Sequence, residues 1–374
     1  MRRRRPGLSP KNGKATITDV AKLADVSTAT AGRVLGGYGY TSEKMKEKVL
    51  SAAKELGYIP NLLARSLMTG RTKTIGVVAG DIESPFYASI IRGIADVAER
   101  RGIGLIITNS DEDLNREISS VRLLLEKQVD GLILSPCEPR RSEHLAAAMA
   151  AGIPLVQVDR MVHGLDVDFV GVDNRTSSAQ AVGYLLRLGH RRIGMIGELV
   201  HDEIDLVTFV DKSRGDDRIS DSLYPSWQRL HGYLDAHRAA GVDIDERLIR
   251  QAGAYTAEAA ERQAQLLLAD RNMATAIFTA DGLMTAGTMS AISASRLTVP
   301  DDLSLICFDD LDWMSFLSPG IDAIAQPRGA MGAAAAEILL DRIDKLGGKI
   351  RTIKMNPRII NRGSVAPPRL GGAA

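Results

Sequence analysis

The 374-residue sequence is poor in cysteine and in aromatic residues, and it contains no long apolar run. Its two cysteines, Cys137 and Cys307, lie far apart and have no CxxC spacing, so neither a cysteine metal site nor a redox pair is expected. Each lies in an apolar, strand-like run, which is typical of a buried, inert thiol. No apolar stretch reaches the roughly 18 residues that cross a bilayer, so we expect no membrane partner.

The motifs of common α/β enzymes are also absent. GxGxxG, GxxxxGK[ST] and GxSxG do not occur, and the six histidines are scattered without metal-ligand spacing. We therefore expect no enzymatic activity, no cofactor and no metal. The basic segment Arg2–Arg5 is followed by Pro6–Lys11 rather than by the apolar core of a signal peptide, so a cytoplasmic protein is expected.

Positive charge is concentrated in the first fifth of the chain. Residues 1–73 hold 15 Lys and Arg against 5 Asp and Glu, a balance of +10, whereas the remaining 301 residues have a balance of −9. A basic unit joined to an acidic body indicates a small polyanion-binding domain on a larger domain. The chain is also too long for a single core, so two or three domains are expected.

Residues 16–56 have the pattern of three short helices. Apolar positions 17, 20, 21 and 24 share one helical face, and Thr18 is a candidate N-cap for that helix. A turn at Asp25–Ser27 leads into a second helix from Thr28 to about Leu35, and an amphipathic third helix runs from Ser42 to Leu56. This geometry is typical of a helix-turn-helix, although an ordinary three-helix bundle without DNA has the same pattern.

The segment that follows is unusually apolar for a linker. Asn61 can cap a helix of about two turns that Gly70 ends, and this helix would contain Leu62, Leu63, Leu67 and Met68. So short a helix is marginal in water without packing. It either docks on its own domains or becomes ordered against a partner, such as a DNA minor groove.

Together these pieces resemble the LacI/GalR family of bacterial repressors. The resemblance rests on Thr16–Leu35, on Thr41–Glu43 leading to Ala53–Asn61, and on Ala64–Leu67, in this order and spacing. It implies a headpiece that reads the major groove through Thr28, Ala29 and Arg33, and a hinge helix whose Leu67 opens the central base step. Arg33 is the best suited of the three to guanine. The full set of predicted DNA-binding residues is Thr18, Ser27, Thr28, Ala29, Thr30, Arg33, Asn61, Ala64, Arg65, Leu67 and Met68.

The sequence departs from the family pattern at two positions of the headpiece. Asp25 stands where the family usually has a turn glycine, although Asp tolerates the left-handed conformation better than most residues. Gly32 replaces a frequent serine in the reading helix, which removes a hydroxyl suited to phosphate contact and costs about 1 kcal/mol of helix propensity. The tail Arg2–Arg5 either compensates with phosphate contacts or is solvated and disordered, and we favour the second interpretation.

The body of the chain alternates short apolar runs with amphipathic stretches and restarts this pattern after Asp173–Asn174. Repeated βα units imply parallel sheets covered by helices. The fold class is therefore α/β: a two-lobed periplasmic-binding-protein-like sensor with two doubly wound parallel sheets and an N-terminal all-α helix-turn-helix DNA-binding domain. In the family the chain crosses back, so a helix near Gly329–Lys345 is expected in the first lobe and a strand near Lys354–Ile360 in the second.

The expected domain boundaries follow from these patterns. We expect a disordered basic tail over 1–15, the headpiece over 16–59, a hinge helix and linker over 60–73, an effector-binding and dimerisation domain over 74–366, and a flexible tail over 367–374. The first lobe is expected to span about 74–173 and 328–347, and the second about 174–326 and 350–366.

Ligands in such sheets bind outside the carboxyl ends of the strands. Polar and aromatic residues follow several predicted strands there, and Arg229 lies in an Arg-x-x-Gly-aromatic element that resembles a family motif. Asp281 matches half of the family's Asn-Asp pair, because Ala280 occupies the Asn position. The predicted effector-binding residues are Asp81, Phe86, Tyr87, Asp159, Arg229, Tyr255, Asp281 and Asp309.

The predicted function is a DNA-binding transcription regulator, most simply a repressor, controlled by a small-molecule effector. Carboxylates opposite an arginine suit a sugar or sugar acid, while nucleosides, purines or no ligand remain alternatives. We expect a homodimer on a pseudo-palindromic double-stranded operator, and nucleoid association when it is DNA-bound. A sugar-binding protein would share the body but lack the basic headpiece. The acidic segment Glu198–Tyr224 is longer than in the family, and we interpret it as a mobile loop rather than a lid.

Overall fold

The computed structural model describes residues 15–36, 39–59, 70–200, 204–221, 223–270, 274–345 and 348–369. The chain divides between Lys73 and Thr74 into two compact units. The predicted hinge helix, with Asn61, Ala64, Arg65, Leu67 and Met68, lies outside the described residues, as does the tail Arg2–Arg5. None of the described helices is both long enough and apolar enough to cross a membrane.

The N-terminal unit contains three helices, α1 (Ile17–Ala24), α2 (Thr28–Gly36) and α3 (Glu43–Glu55). Its core is small and aliphatic, and Val20, Ala31 and Val49 are fully buried at its centre. These three residues come one from each helix, so the predicted amphipathic faces do pack together. The bounds of α2 and α3 agree with the prediction to within one residue at each end, whereas α1 begins two residues before the position that a Thr18 cap implies.

The first cap differs from the prediction. Thr16, not Thr18, precedes α1, and it exchanges hydrogen bonds with Asp19: the Asp19 amide donates to Thr16 Oγ1 (3.3 Å), and the Thr16 amide donates to Asp19 Oδ2 (2.9 Å). A threonine followed by an acid three residues later satisfies two free amides, which Thr18 could not do. Asp25 ends α1 with φ 56° and ψ 52°, so it adopts the left-handed turn conformation that the family gives to glycine.

The larger unit contains two six-stranded sheets. The first has the strand order β11-β5-β4-β3-β1-β2, and the second has the order β12-β10-β9-β8-β6-β7. Every recorded strand pair is parallel except β10 with β12. The strands are β1 (Thr74–Ala79), β2 (Gly104–Asn109), β3 (Leu132–Leu134), β4 (Leu155–Val158), β5 (Asp168–Val172), β6 (Ile193–Gly197), β7 (Ile249–Gln251), β8 (Ala276–Thr279), β9 (Ser304–Phe308), β10 (Asp322–Ala325), β11 (Thr352–Met355) and β12 (Arg358–Ile360).

Helices cover the faces of these sheets. They are α4 (Pro85–Arg101), α5 (Leu114–Glu126), α6 (Glu143–Ala150), α7 (Asn174–Arg187), α8 (Leu206–Lys212), α9 (Pro225–Ala239), α10 (Ala257–Leu268), α11 (Gly282–Ala294) and α12 (Arg328–Ile343). Helix α12 packs against α4 in the first lobe, and α7 packs against α9 in the second. Gly232 permits this second contact, because a Cβ at that position would collide with the Arg175 carbonyl oxygen.

The final strand prediction was wrong. The expected strand from Lys354 to Ile360 is two strands: β11 pairs with β5 in the first sheet, and β12 pairs with β10 in the second. Pro357 separates them, and proline cannot continue a central strand because it lacks an amide donor. The expected second-lobe segment 350–366 therefore contributes its first strand to the first lobe.

The long acidic segment is not the mobile loop that was expected. Residues 206–212 form α8, in which Phe209 and Val210 are fully buried. The Phe209 ring lies 4.9 Å from the Trp227 ring and 5.9 Å from His231, both on α9. The many charged residues of this segment obscured the apolar face of α8, which packs into the core of the second lobe.

Candidate functional site

The two sheets place a polar pocket at the carboxyl ends of their strands. Without β11 and β12, each sheet has the doubly wound order 2-1-3-4-5, in which ligands bind beyond the carboxyl ends near the reversal of strand order. The pocket has about 390 Å³ of free space, including its open mouth. Its lining is Phe86, Tyr87, Asp159, Arg160, Glu198, Pro225, Arg229, Tyr255, Asp281, Asp309 and Gln326.

The end of β4 supplies one acid and one base. Asp159 has φ 68°, and its amide donates to Val170 O (2.9 Å) on the neighbouring strand. Arg160 pairs with Glu112, and its guanidinium lies 5.4 Å from the centre of the Tyr224 ring. Burial raises the pKa of Asp159 to about 6, an effect that Arg160 opposes.

The ends of β9 and β10 form a second polar pair. Asp309 has φ 75°, and its amide donates to Ile324 O (3.0 Å), which turns its carboxylate into the pocket. Gln326 donates from Nε2 to Asp309 Oδ1 at 2.7 Å. Both side chains are buried, so this hydrogen bond fixes the orientation of the carboxylate.

Arg229 reaches the pocket from the first turns of α9. Its Nε donates to Asn174 Oδ1 (2.9 Å), and its Nη1 donates to Ala280 O (2.6 Å). Its guanidinium carbon lies 3.8 Å from the centre of the Phe308 ring. A planar cation held by two acceptors and one aromatic face is rigidly positioned before any ligand arrives.

The opposite side of the pocket is acidic. Asp281 caps α11, accepting from the amides of Leu283 (2.9 Å) and Met284 (3.0 Å) through Oδ1. Its pKa is raised, first by burial and then by Glu198, which follows β6. Burial also raises the pKa of Tyr255, and Asp281, Asp309 and Glu198 add to this effect.

Phe86 and Tyr87 at the start of α4 provide the aromatic wall. Their ring centroids lie 5.2 Å apart in an edge-to-face arrangement. The Tyr87 hydroxyl lies 3.1 Å from Ser135 Oγ and donates to Glu112 Oε1 (3.3 Å). Glu112 thereby joins Tyr87 to Arg160, so a hydrogen-bonded network supports this wall from behind.

Several buried atoms in this pocket have no hydrogen-bond partner within the described part of the chain. Three are acceptors (Asp159 Oδ1, Asp281 Oδ2 and Gln326 Oε1), and one is a donor (Arg160 Nε). A buried polar atom without a partner costs about 1–3 kcal/mol, and native proteins rarely leave such atoms together. Their convergence indicates a site that is completed by an incoming polar molecule.

The structure brings seven of the eight predicted effector residues to the pocket lining. The exception is Asp81, whose Oδ1 accepts instead from the Glu83 amide (2.8 Å). Effector contact by any of these residues remains a prediction.

Four lining residues were not predicted: Arg160, Glu198, Pro225 and Gln326. Glu198 and Arg160 follow β6 and β4. Each could have been predicted from its place after a strand, as Asp159 was. Gln326 was missed because the strand before it, β10, was not recognised in the sequence.

The headpiece presents an exposed surface at the start of α2. Ser27, Thr28, Ala29 and Arg33 are exposed, whereas Thr30 is half-buried. Ser27 caps the helix by accepting from the Thr30 amide (3.1 Å). A helix N-terminus with an arginine one turn later can approach phosphates and guanine edges. Thr18 is also exposed, on α1.

Comparisons with known proteins agree with both parts of this architecture. Residues 16–61 match the family described as "Bacterial regulatory proteins, lacI family", and residues 182–365 match the family described as "Periplasmic binding protein-like domain". The chain is 30% identical over 351 residues to the ribose operon repressor of Haemophilus influenzae, covering 94% of this chain and 98% of that protein. It is 32% identical over 354 residues to the HTH-type transcriptional repressor PurR of Klebsiella pneumoniae, covering 94% and 97%.

A solved structure shows the same fold. The lac repressor dimer bound to operator and the anti-inducer ONPF aligns with a TM-score of 0.77 at 24% identity, covering 94% of this chain and 99% of that chain.

A helix-turn-helix unit and a two-lobed sensor define a ligand-responsive DNA-binding regulator. The chain belongs to the LacI family of bacterial transcription regulators, whose similar members are repressors. The resemblance inferred from the headpiece and hinge motifs is therefore confirmed.

Proposed function

We propose that the protein is a homodimeric repressor that releases or binds its operator in response to a polyhydroxylated small molecule in the interlobe pocket. The observation that carries this proposal is the convergence of partnerless buried acceptors with the fixed cation of Arg229. Ligand hydroxyls can donate to the acceptors, and Arg229 can donate to ligand oxygens. A binding site without catalysis agrees with the similar proteins, which are named as repressors.

We assign the reading of DNA to α2. Arg33 reads a guanine edge, while Thr28 and Ala29 contact neighbouring bases and the cap at Ser27 places the helix N-terminus against a phosphate. Two copies related by two-fold symmetry read the two halves of a pseudo-palindromic operator. Because bacterial DNA lies in the cytoplasm, we propose that the protein acts there. Asn61, Ala64, Arg65, Leu67 and Met68 add the minor-groove contacts.

The test separates reading from sensing. An operator is selected from random DNA with the full chain, and its affinity is measured with and without a ligand found by thermal shift. Arg33→Ala is expected to weaken operator binding about 10–100-fold and to leave the ligand shift unchanged. Asp309→Asn is expected to do the reverse, and asparagine tolerates the φ of 75° at this position. Normal operator binding by Arg33→Ala, or a normal ligand response by Asp309→Asn, contradicts the assignment.

Arg122→Ala is the matched control for Arg33→Ala. It removes another exposed arginine, from α5, far along the chain from the reading helix. Its operator affinity is expected to equal that of the unmodified protein.

A further inference from the structure

The pocket holds more acidic than basic side chains. Asp159, Glu198, Asp281 and Asp309 line it, against the two cations Arg160 and Arg229. Behind the lining, Glu112 pairs with Arg160, so a fifth carboxylate already uses one of these cations. A ligand with its own negative charge would enter a site that lacks a free counter-charge.

The second cation is also largely committed. Arg229 donates through Nε and Nη1 to Asn174 and Ala280, and its guanidinium rests on the Phe308 ring. Its remaining N–H groups can still donate to a ligand, and its charge already lowers the pKa of Asp159 and of Asp281, although burial keeps both pKa values raised. The charge imbalance is therefore a fixed property of the pocket.

The buried pocket atoms that lack a hydrogen-bond partner also include more acceptors than donors. Among the described residues that line the pocket, three buried acceptors lack a donor, whereas one buried donor lacks an acceptor. Two of the acceptors are carboxylate oxygens, of Asp159 and Asp281, and they lie on different lobes. Carboxylate oxygens form their strongest hydrogen bonds with charged donors such as ammonium groups.

We propose that the effector is a polyhydroxylated amine, such as an amino sugar or an aminocyclitol, rather than a neutral sugar or a sugar acid. This inference rests on the proposed function, because it concerns the occupant of the same pocket. The ligand ammonium binds among the carboxylates, and the ligand hydroxyls bind Gln326 and Arg229. Mutual repulsion among the acids supports this arrangement: Asp309 adds to the raised pKa of Asp159, and Glu198 adds to that of Asp281. A bound cation relieves both effects.

The experiment compares sugars of the same ring stereochemistry that carry an ammonium group, no charge or a carboxylate. Thermal shifts of the full chain are measured at pH 7.5 with glucose, glucosamine and glucuronic acid, with the corresponding galactose and mannose sets, and with 2-deoxystreptamine. We expect at least one amine to raise the melting temperature at concentrations where its neutral and acidic counterparts do not. The proposal is overturned if a neutral or acidic member stabilises the protein as well as its amine, or if none of the amines stabilises it.

Asp309→Asn sharpens the comparison. Removing one carboxylate while keeping its shape is expected to weaken the amine about thirtyfold or more and to change a neutral analogue much less. Asp243→Asn, which changes an exposed carboxylate, is the control and should leave the amine affinity unaltered. Equal losses for the amine and for its neutral analogue would contradict the charge argument.

Measurements of operator binding separate the amine proposal from the proposed regulatory function. A neutral sugar that binds and changes operator affinity would overturn the amine proposal and leave the proposed function intact. An amine that stabilises the protein without changing operator affinity would support the ligand class and contradict the proposed regulation.

Discussion

Asp159 and Asp309 show how single residues build the pocket. Both follow a strand directly, and both have a positive φ, 68° and 75°. Few residues other than glycine tolerate this conformation, and aspartate is one of them. The left-handed turn at the end of each strand directs the carboxylate across the carboxyl edge of its sheet, so the same residue supplies both the turn and the acid.

Asp159→Asn is expected to stabilise the unliganded protein at neutral pH. The folded-state pKa of Asp159 is raised to about 6, whereas the unfolded value is about 3.9. The stability of the folded protein is therefore highest below about pH 3.9, where Asp159 is neutral in both states, and it falls as the pH rises through about 6. The gain in melting temperature of the variant over the unmodified protein should therefore grow between pH 4 and pH 7. Thermal unfolding across this range measures it.

Asparagine at position 159 keeps the left-handed backbone available, so strain does not obscure the result. Asp243→Asn, at an exposed position, is the control and should show no such pH-dependent gain. A constant difference between Asp159→Asn and the unmodified protein across pH would show that burial of Asp159 carries no ionisation cost.

At the scale of elements, long periodic segments were predictable and short ones were not. The helices of the headpiece have clear patterns and were located within about two residues. The strands β5, β7 and β10 have three to five residues each, too few for a period to be visible, and they exist because neighbouring strands offer them hydrogen bonds. Gln326 was missed with β10. Pro357, by contrast, was a legible signal for separating β11 from β12.

The same limit explains the misinterpreted acidic segment. Its acids suggested a solvated loop, yet Phe209 and Val210 bury completely while the charges of α8 remain outside. A seven-residue helix has too few positions for a hydrophobic face to stand out from the composition around it.

Phe209→Ala is expected to destabilise the protein by about 3–5 kcal/mol, because it removes a fully buried ring that packs on Trp227. Urea unfolding of the full chain measures the loss. Val207→Ala on the same helix is the control, since Val207 is 57% exposed and its truncation should change stability by less than about 0.5 kcal/mol. Similar small effects for both variants would restore the interpretation of this segment as a loop.

Tyr224 at the end of this segment links the two lobes. Its hydroxyl donates to Cys137 O (2.8 Å), and Cys137 follows β3 in the first lobe whereas Tyr224 precedes α9 in the second. Tyr224→Phe removes this hydrogen bond. The variant is expected to destabilise, by about 1 kcal/mol, the arrangement in which the two lobes are closed. If ligand binding requires closure, affinity should fall about fivefold in calorimetric titration.

Tyr184→Phe, which removes a hydroxyl from α7, is the matched control for Tyr224→Phe. Its ligand affinity should equal that of the unmodified protein. Unchanged affinity in Tyr224→Phe would show that the bond is formed equally in the open and closed states.

At the scale of the whole molecule, three chain crossings join the two lobes. The chain passes from the first sheet to α7 and the second sheet after β5, returns to α12 and β11 after β10, and crosses again to β12. Three short connections permit the lobes to rotate about them, which would open or close the pocket. We propose that a ligand affects the chain that precedes Thr74 through motion of the first lobe.

Leu67→Ala tests whether this motion is transmitted to DNA. Ligand and operator must change each other's affinity by the same factor, because coupling is reciprocal. In the unmodified protein we expect this factor to be about 5–150, measured by operator titrations with and without ligand and by ligand titrations with and without operator. In Leu67→Ala, operator affinity and the coupling factor should both fall, since a leucine wedge at the central base step would bind DNA only in one arrangement of the hinge. The ligand affinity of Leu67→Ala without DNA should remain that of the unmodified protein, because Leu67 precedes the sensor unit. A variant that retained both the operator affinity and the coupling factor would place the transmission outside the hinge.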